Sequence, residues 1–279
     1  MKRLFCALGF VAAGPGVATA SCPTDLEMAA LAARYVAREP LPQPPGLSLA
    51  DAACGRDKLT VFLAQAYGPP VGYKAALTNP VVQKRFGADR PVRGTLYRGM
   101  LLAEGAEVPV AYGARPVFEA DLVVEVADPA LATARDVEDA RRFLGRLYPF
   151  IELADLMVED PARLDAAGIV LVNAGARLGV LGSPLPLPSS QALAAMTVRL
   201  LDGEEREIEA APGTAILGHP LHAALWLARD LEAAGILLRK GDLLSLGSYS
   251  RLTQPVAGGG ATVVYEGLPG NPRVSVRFR

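Results

Sequence analysis

Runs of apolar residues divide the chain into short segments, and the spacing inside each run sets the element it predicts. Residues 24–38 place Leu26, Ala29, Ala30, Ala33 and Val36 on one helical face behind a Thr24-Asp25 cap. A Pro-rich connector, 39–46, is extended rather than flexible. A second helix spans 48–67 and stops at Gly68-Pro69-Pro70. Beyond residue 70 the pattern turns strand-like and is punctuated by Gly and Pro. Strands are predicted over 71–77, 117–127, 148–154, 169–180, 197–201, 242–247, 262–266 and 274–278. Between them, 78–86 reads as a helical turn, 90–102 as a loop leading into extended structure, and 134–144 as a helix. The clearest helix is 219–234: Pro220 fits its first turn, Leu221, Ala224, Leu225, Ala228 and Leu231 line one face, and Gly235 follows its end.

Polar residues inside the apolar segments carry the chemistry. Glu119 and Asp121 lie two apart in Pro-Val-Phe-Glu-Ala-Asp-Leu-Val-Val-Glu-Val and share one strand face. Glu152 lies in Tyr-Pro-Phe-Ile-Glu-Leu-Ala-Asp. Carboxylates brought together among apolar neighbours repel and are costly to desolvate. A divalent cation held by oxygen ligands is the simplest compensation; a solvated strand face with scattered acids is the alternative. Lys74, inside the apolar strand 71–77, needs a partner or an anionic ligand unless it snorkels to the surface. His219 and His222 stand three apart at the start of the last helix, where capping is preferred over metal binding. Ser248, in Leu-Gly-Ser-Tyr-Ser, is either a ligand contact or a strand-end turn. The chain has no Gly-x-Ser-x-Gly elbow, no phosphate loop ending in Lys-Ser or Lys-Thr, and no CxxC pair.

The N-terminus adds a compartment. Met1-Lys2-Arg3, the apolar run 4–13, the Gly14-Pro15-Gly16 break and Ala18-Thr19-Ala20 form a signal-peptide pattern with cleavage expected after Ala20. A bilayer needs roughly 20 apolar residues, so this run is too short to span one, and no other run predicts a membrane helix. The processed chain is then periplasmic or secreted. Loss of Lys2 and Arg3 takes Lys plus Arg from 28 to 26 against 29 acids, a net charge of about −3. That balance, with no basic block, excludes a nucleic-acid binder. Hydrophobic residues make up 51% of the chain, enough for a large core. Cys6 leaves with the signal, so Cys22 and Cys54 remain as the one pair, and an oxidising compartment lets them join.

Taken in order, several segments resemble the 2-keto-4-pentenoate hydratases of the fumarylacetoacetate hydrolase superfamily. They are Gly-Tyr-Lys-Ala-Ala-Leu-Thr (72–78), Gly94-Thr-Leu, Phe-Glu-Ala-Asp (118–121), Ile-Glu-Leu-Ala-Asp (151–155), Asn173, Leu-Gly-His-Pro with Trp226, and Gly-Asp-Leu-Leu-Ser-Leu-Gly-Ser (241–248). The resemblance covers roughly residues 25–279. It implies an α+β fold: a mixed β-roll, 71–279, with an N-terminal helical portion, 21–70, behind the signal peptide, 1–20. It also implies a Mg2+ or Mn2+ site at Glu119, Asp121 and Glu152, a catalytic Lys74, and substrate contacts from Leu77, Asn173 and Ser248. Asp121 stands where the family more usually carries glutamate, and Val172 where many hydratases carry an acid. The implied activity is a metal-dependent lyase, hydratase or decarboxylase, acting on a small 2-oxo or 2-hydroxydienoic acid such as 2-hydroxypenta-2,4-dienoate. The alternative is a catalytically silent periplasmic binding protein for a small carboxylate. The expected partner is the small carboxylate itself, with homo-oligomerisation left open.

Overall fold

A computed structural model describes residues 21–42 and 46–279. The expected signal peptide and part of the Pro-rich connector lie outside the described residues. Helix α1 (Asp25–Ala37) begins with a capping box in which Thr24 and Glu27 satisfy each other's backbone N–H groups. It buries Met28, Leu31, Ala32 and Tyr35. This is not the expected face: Leu26 is 82% exposed and Val36 48%. The i, i+3, i+4, i+7 set with the larger side chains is the one that packs. Helix α2 (Leu49–Tyr67) starts at Ser48, whose hydroxyl accepts from the Asp51 N–H.

The strands and remaining helices follow in chain order. Strand β1 is Pro70–Ala76, helix α3 Pro80–Phe86, and β2 Val92–Tyr97. The short β3 (Leu101–Ala103) and β4 (Ala106–Val108) precede the long β5 (Pro116–Val126). After α4 (Val137–Ala140) comes β6 (Leu144–Asp155), then α5 (Ala166–Leu171), β7 (Leu178–Leu181), β8 (Leu185–Pro186) and α6 (Ser190–Ala195). The chain ends with β9 (Thr197–Asp202), β10 (Glu207–Pro212), α7 (Pro220–Ala233), β11 (Leu243–Ser245), β12 (Gly260–Glu266) and β13 (Arg273–Phe278).

Three expectations change. The expected loop at 90–102 contains the buried strand β2. The expected helix 134–144 shrinks to the four residues of α4 and a following helical turn. The expected strand 169–180 is instead helix α5, a tight turn at 173–175, and only then β7. Asp165 explains that change, since its carboxylate caps α5 through the Gly168 N–H. A short apolar run fits a buried helix as well as a strand.

The strands form two mixed sheets. One runs β2-β1-β11-β5-β6-β7-β3 with β8 beside β6; the other runs β10-β9-β12-β13-β4. Even-numbered residues of β5, such as Leu122 and Val124, join Leu147 and Ile151 of β6, Leu200, Val263 and Val274 of the second sheet, and Leu221 of α7 in the main core. The odd-numbered face of β5 is therefore turned away from that core. A second core packs Tyr35, Leu59 and Leu63 of the N-terminal helices against Tyr97, Met157 and Val170. Cys22 and Cys54 form a disulfide with their Cα atoms 5.6 Å apart, tying the start of the described chain to α2. Among the described residues, no helix is long and apolar enough to cross a membrane.

Candidate active site

The face of β5 turned away from the core carries Glu119 and Asp121. In the antiparallel pairing of β5 with β6, Glu119 stands directly opposite Glu152. Like charges in that register destabilise a sheet unless something compensates them. Lys74 compensates. It lies on β1, two strands away across β11, and its ammonium donates to Glu152 Oε1 and to the Ala174 carbonyl, the latter at 3.0 Å. Lys74 is 2% exposed and so does not snorkel.

The backbone is shaped around that ammonium. Asn173, Ala174 and Gly175 all have positive φ, and the turn they make aims the Ala174 carbonyl at Lys74. Gly94, paired with Lys74 on β2, has to be glycine: a Cβ there would lie 2.5 Å from the Asn173 carbonyl oxygen and 3.0 Å from Lys74 Cγ. Leu77, just past β1, also has positive φ, at 56°. Left-handed non-glycine residues collected at one place fit stored strain at a functional site.

The three acids are not equivalent. Asp121 is fully buried, and both its oxygens are engaged. Oδ1 accepts from the N–H groups of Leu122 and Gly247, and Oδ2 from the Ser245 hydroxyl. Glu152 has Oε1 on Lys74, while Oε2 is buried with no partner among the described residues. Glu119 is half-buried and lines a cavity of about 490 Å3. Burial first, and the Glu152 carboxylate second, push the Glu119 carboxyl well above the ordinary range. The same two causes push Asp121 up to about 7. Burial alone would lower the Lys74 ammonium; the carboxylates of Glu152, Glu119 and Asp121 outweigh it and hold it above its usual value. Lys74 thus keeps its charge, and the excess negative charge falls on the acids.

The structure sorts the expected contacts. Lys74, Leu77, Glu119 and Ser248 line the cavity. Asn173 does not: its side-chain oxygen accepts from Thr95 N–H, and its amide nitrogen donates to the Thr95 carbonyl. The Asn173 side chain is a brace between its turn and β2, whereas the expected role was a substrate contact. His219 caps α7 through the Leu221 N–H and bonds the Ser190 carbonyl, in keeping with the capping preference. The Ala174 carbonyl escaped sequence reasoning, because a carbonyl leaves no trace in composition. Gly94 and Ser245 stand inside two segments of the family resemblance, Gly94-Thr-Leu and 241–248, which marked the segments without giving either residue a role.

Oxygen donors of this kind suit a hard divalent cation. The orphaned Glu152 Oε2 and the crowding of Glu119 against Glu152 fit such an ion. The fit is to two available carboxylates rather than three. Among the described residues, no group of three or more His, Cys, Asp or Glu side chains converges so as to hold an ion. The short Asp121 side chain is already spent on Ser245, Leu122 and Gly247.

No family model matches the chain. It is 32% identical over 206 residues to a 2-keto-4-pentenoate hydratase of Paraburkholderia phymatum, covering 74% of this chain and 77% of the relative. The fold resembles 4-oxalocrotonate decarboxylase from Pseudomonas putida G7, complexed with magnesium and adipate. That match has a TM-score of 0.81 at 23% identity over 93% of this chain and 100% of the other. A more distant likeness, with a TM-score of 0.55 at 13% identity over 74% of this chain and 88% of the other, is to fumarylpyruvate hydrolase from Pseudomonas aeruginosa in complex with Mn2+ and pyruvate.

Proposed function

The chain belongs to the 2-keto-4-pentenoate hydratase family, and from that membership we propose a divalent-metal-dependent lyase acting on a small 2-oxo or 2-hydroxydienoic acid. The observation that carries the reading is Glu119 set directly opposite Glu152, with the Lys74 ammonium bonded to Glu152, at the wall of a cavity. In this reading Glu119 and Glu152 hold Mg2+ or Mn2+. Asp121 would reach the ion only by giving up a protein hydrogen bond. When bound, the ion supplies Lewis acidity toward the carboxylate and 2-oxygen of a 2-oxo acid.

The protein's own groups do the rest. Lys74 Nζ keeps its proton and places a fixed positive charge where an enolate oxygen or substrate carboxylate gathers electron density. Leu77, Phe86, Leu156, Ile169 and Leu252 line the cavity and thin out the water around the dienoic chain. Ser248 bonds the Ser250 carbonyl at 2.7 Å and presents its hydroxyl beside Glu119. Hydration adds one water across the diene; decarboxylation releases carbon dioxide and leaves a proton to be added at carbon. Both need a proton shuttle.

Mature protein loaded with Mg2+ or Mn2+ is expected to consume 2-hydroxypenta-2,4-dienoate, or a related enol acid, with loss of dienol absorbance. Water incorporation marks a hydratase and carbon dioxide release a decarboxylase. Failure to turn over any member of a 2-oxo acid panel, despite bound metal, would overturn the reading.

Export belongs to the same proposal. The signal-peptide pattern of 1–20 motivates it, and the Cys22–Cys54 bridge supports it, since such bridges persist in oxidising compartments.

A further inference from the structure

The cavity lining carries buried charged groups and, separately, exposed ones. At the buried end stand Lys74, 2% exposed, and Glu119. At the exposed end the lining includes Arg85, from the last turn of α3, and Arg251, just past the 247–250 loop. The lining also includes the apolar side chains of Leu77, Phe86, Leu156, Ile169 and Leu252.

The two arginines differ in what neutralises them. Arg251 has Glu209 beside it: the Glu209 carboxylate accepts the Arg251 backbone N–H at 2.7 Å and lies 3.9 Å from the guanidinium. Arg85 has no carboxylate partner among the described residues, and its guanidinium lies 5.4 Å over the Phe86 ring. Glu209 also lines the cavity, so this end carries one net positive charge. Guanidinium groups present a planar fork that matches a carboxylate. A monocarboxylic 2-oxo acid spends its only anionic group at the inner end and leaves this pole idle.

We propose that Arg85 and Arg251 form a subsite for a second carboxylate, so that the preferred substrates are 2-oxo acids bearing another acid group at the far end of the carbon chain. The inference rests on the lyase reading for the orientation of the ligand, with its 2-oxo acid group inward.

Two six-carbon probes separate the possibilities. 2-Oxoadipate and 2-oxohexanoate share the 2-oxo acid group and differ in whether the chain ends in a carboxylate. Calorimetry on the full-length mature protein, saturated with Mg2+, is expected to show about tenfold tighter binding of the diacid, about 1.4 kcal/mol. Arg85→Gln combined with Arg251→Gln should bring the ratio close to one while leaving the monoacid affinity unchanged, which also shows that the variant is folded. Raising the salt concentration should erode the diacid advantage in the wild type. Equal binding of the two acids by wild type overturns the subsite alone, as does equal weakening of both in the double variant. Binding of neither acid overturns the subsite and the lyase reading together. A diacid preference without turnover of any 2-oxo acid overturns the lyase reading and leaves the subsite standing.

Discussion

Glu152 and Asp155 lie three residues apart on β6, both are essentially buried, and each has a basic side chain nearby. Their surroundings treat them in opposite ways. Asp155 accepts backbone N–H groups from Ala114, Arg115 and Met157 at 2.8, 2.8 and 3.1 Å, and Arg177 approaches to 3.9 Å. Gly113 makes room for it, since a Cβ there would lie 2.5 Å from the carboxylate. Among the described residues, Glu152 has Lys74 on one oxygen, nothing on the other, and a second glutamate directly across the ladder. One acid is a finished piece of scaffold; the other is left short of partners. Counting donors around a buried charge separates the two where burial and composition do not.

The comparison breaks most readily at Asp155. Replacing it with alanine strands the buried Arg177 and three N–H groups, and should cost about 3–5 kcal/mol. Denaturant unfolding reads this directly, and a loss below about 1 kcal/mol would show that the scaffold acid is no better anchored than the site acid.

The disulfide comes next, also on the scaffold side. Cys22→Ser with Cys54→Ser opens a loop of sequence separation 32, and should lower stability by about 2–4 kcal/mol without touching metal affinity. In protein from the exporting cell, free alkylation of both cysteines without reductant would argue against the bridge and against export.

The site acids should respond through pH and metal rather than through the fold. Asp121 rises from 3.8 to about 7 on folding, so it favours the folded state fully below about pH 4 and loses that contribution as pH climbs through 7. Glu119 is raised in the same sense. In EDTA the Tm should therefore fall between pH 5 and 8, and saturating Mg2+ should remove most of the fall. His219, whose pKa is lowered by burial, acts in the opposite direction but equally with and without metal, so the Mg2+-minus-EDTA difference isolates the acids. A metal-induced rise in Tm that does not grow with pH contradicts the crowding argument.

Glu119→Gln with Glu152→Gln should abolish divalent binding and also lower metal-free stability, because Glu152 is the carboxylate bonded to the buried Lys74 ammonium and the Asp121 oxygens are held elsewhere. Full metal stoichiometry in that variant would mean other ligands. The smallest effect is expected at Tyr249. Its buried hydroxyl has no partner among the described residues, so Tyr249→Phe should change stability by no more than about 0.5 kcal/mol or raise it slightly.

Much of this was legible in the sequence. Alternation along 117–127 put Glu119 and Asp121 on one face, and an apolar strand around Lys74 signalled a lysine with a job. What could not be read was how many partners each acid would find. Glu152 and Asp155 look alike in Ile-Glu-Leu-Ala-Asp, and only the approach of 113–115 and 157 distinguishes them. The bonds of Asn173 were hidden for the same reason, since its partner Thr95 sits on a strand inside an expected loop. The β-roll with its N-terminal helices came from the family resemblance, because periodicity gives elements and not the order of strands in a sheet.

The parallel pairing of β1 with β11 has a consequence in time. Lys74 is held in register against Ser245, about 170 residues further along the chain, and Ser245 in turn fixes Asp121. Contacts that distant close slowly, because the intervening chain must be ordered before they repay its entropy. A nascent chain lacking its last forty residues would already contain Lys74 and all three carboxylates, but not the strand that separates β1 from β5. The acids would then face a lysine with no fixed position, so metal binding should mark one of the last steps of maturation.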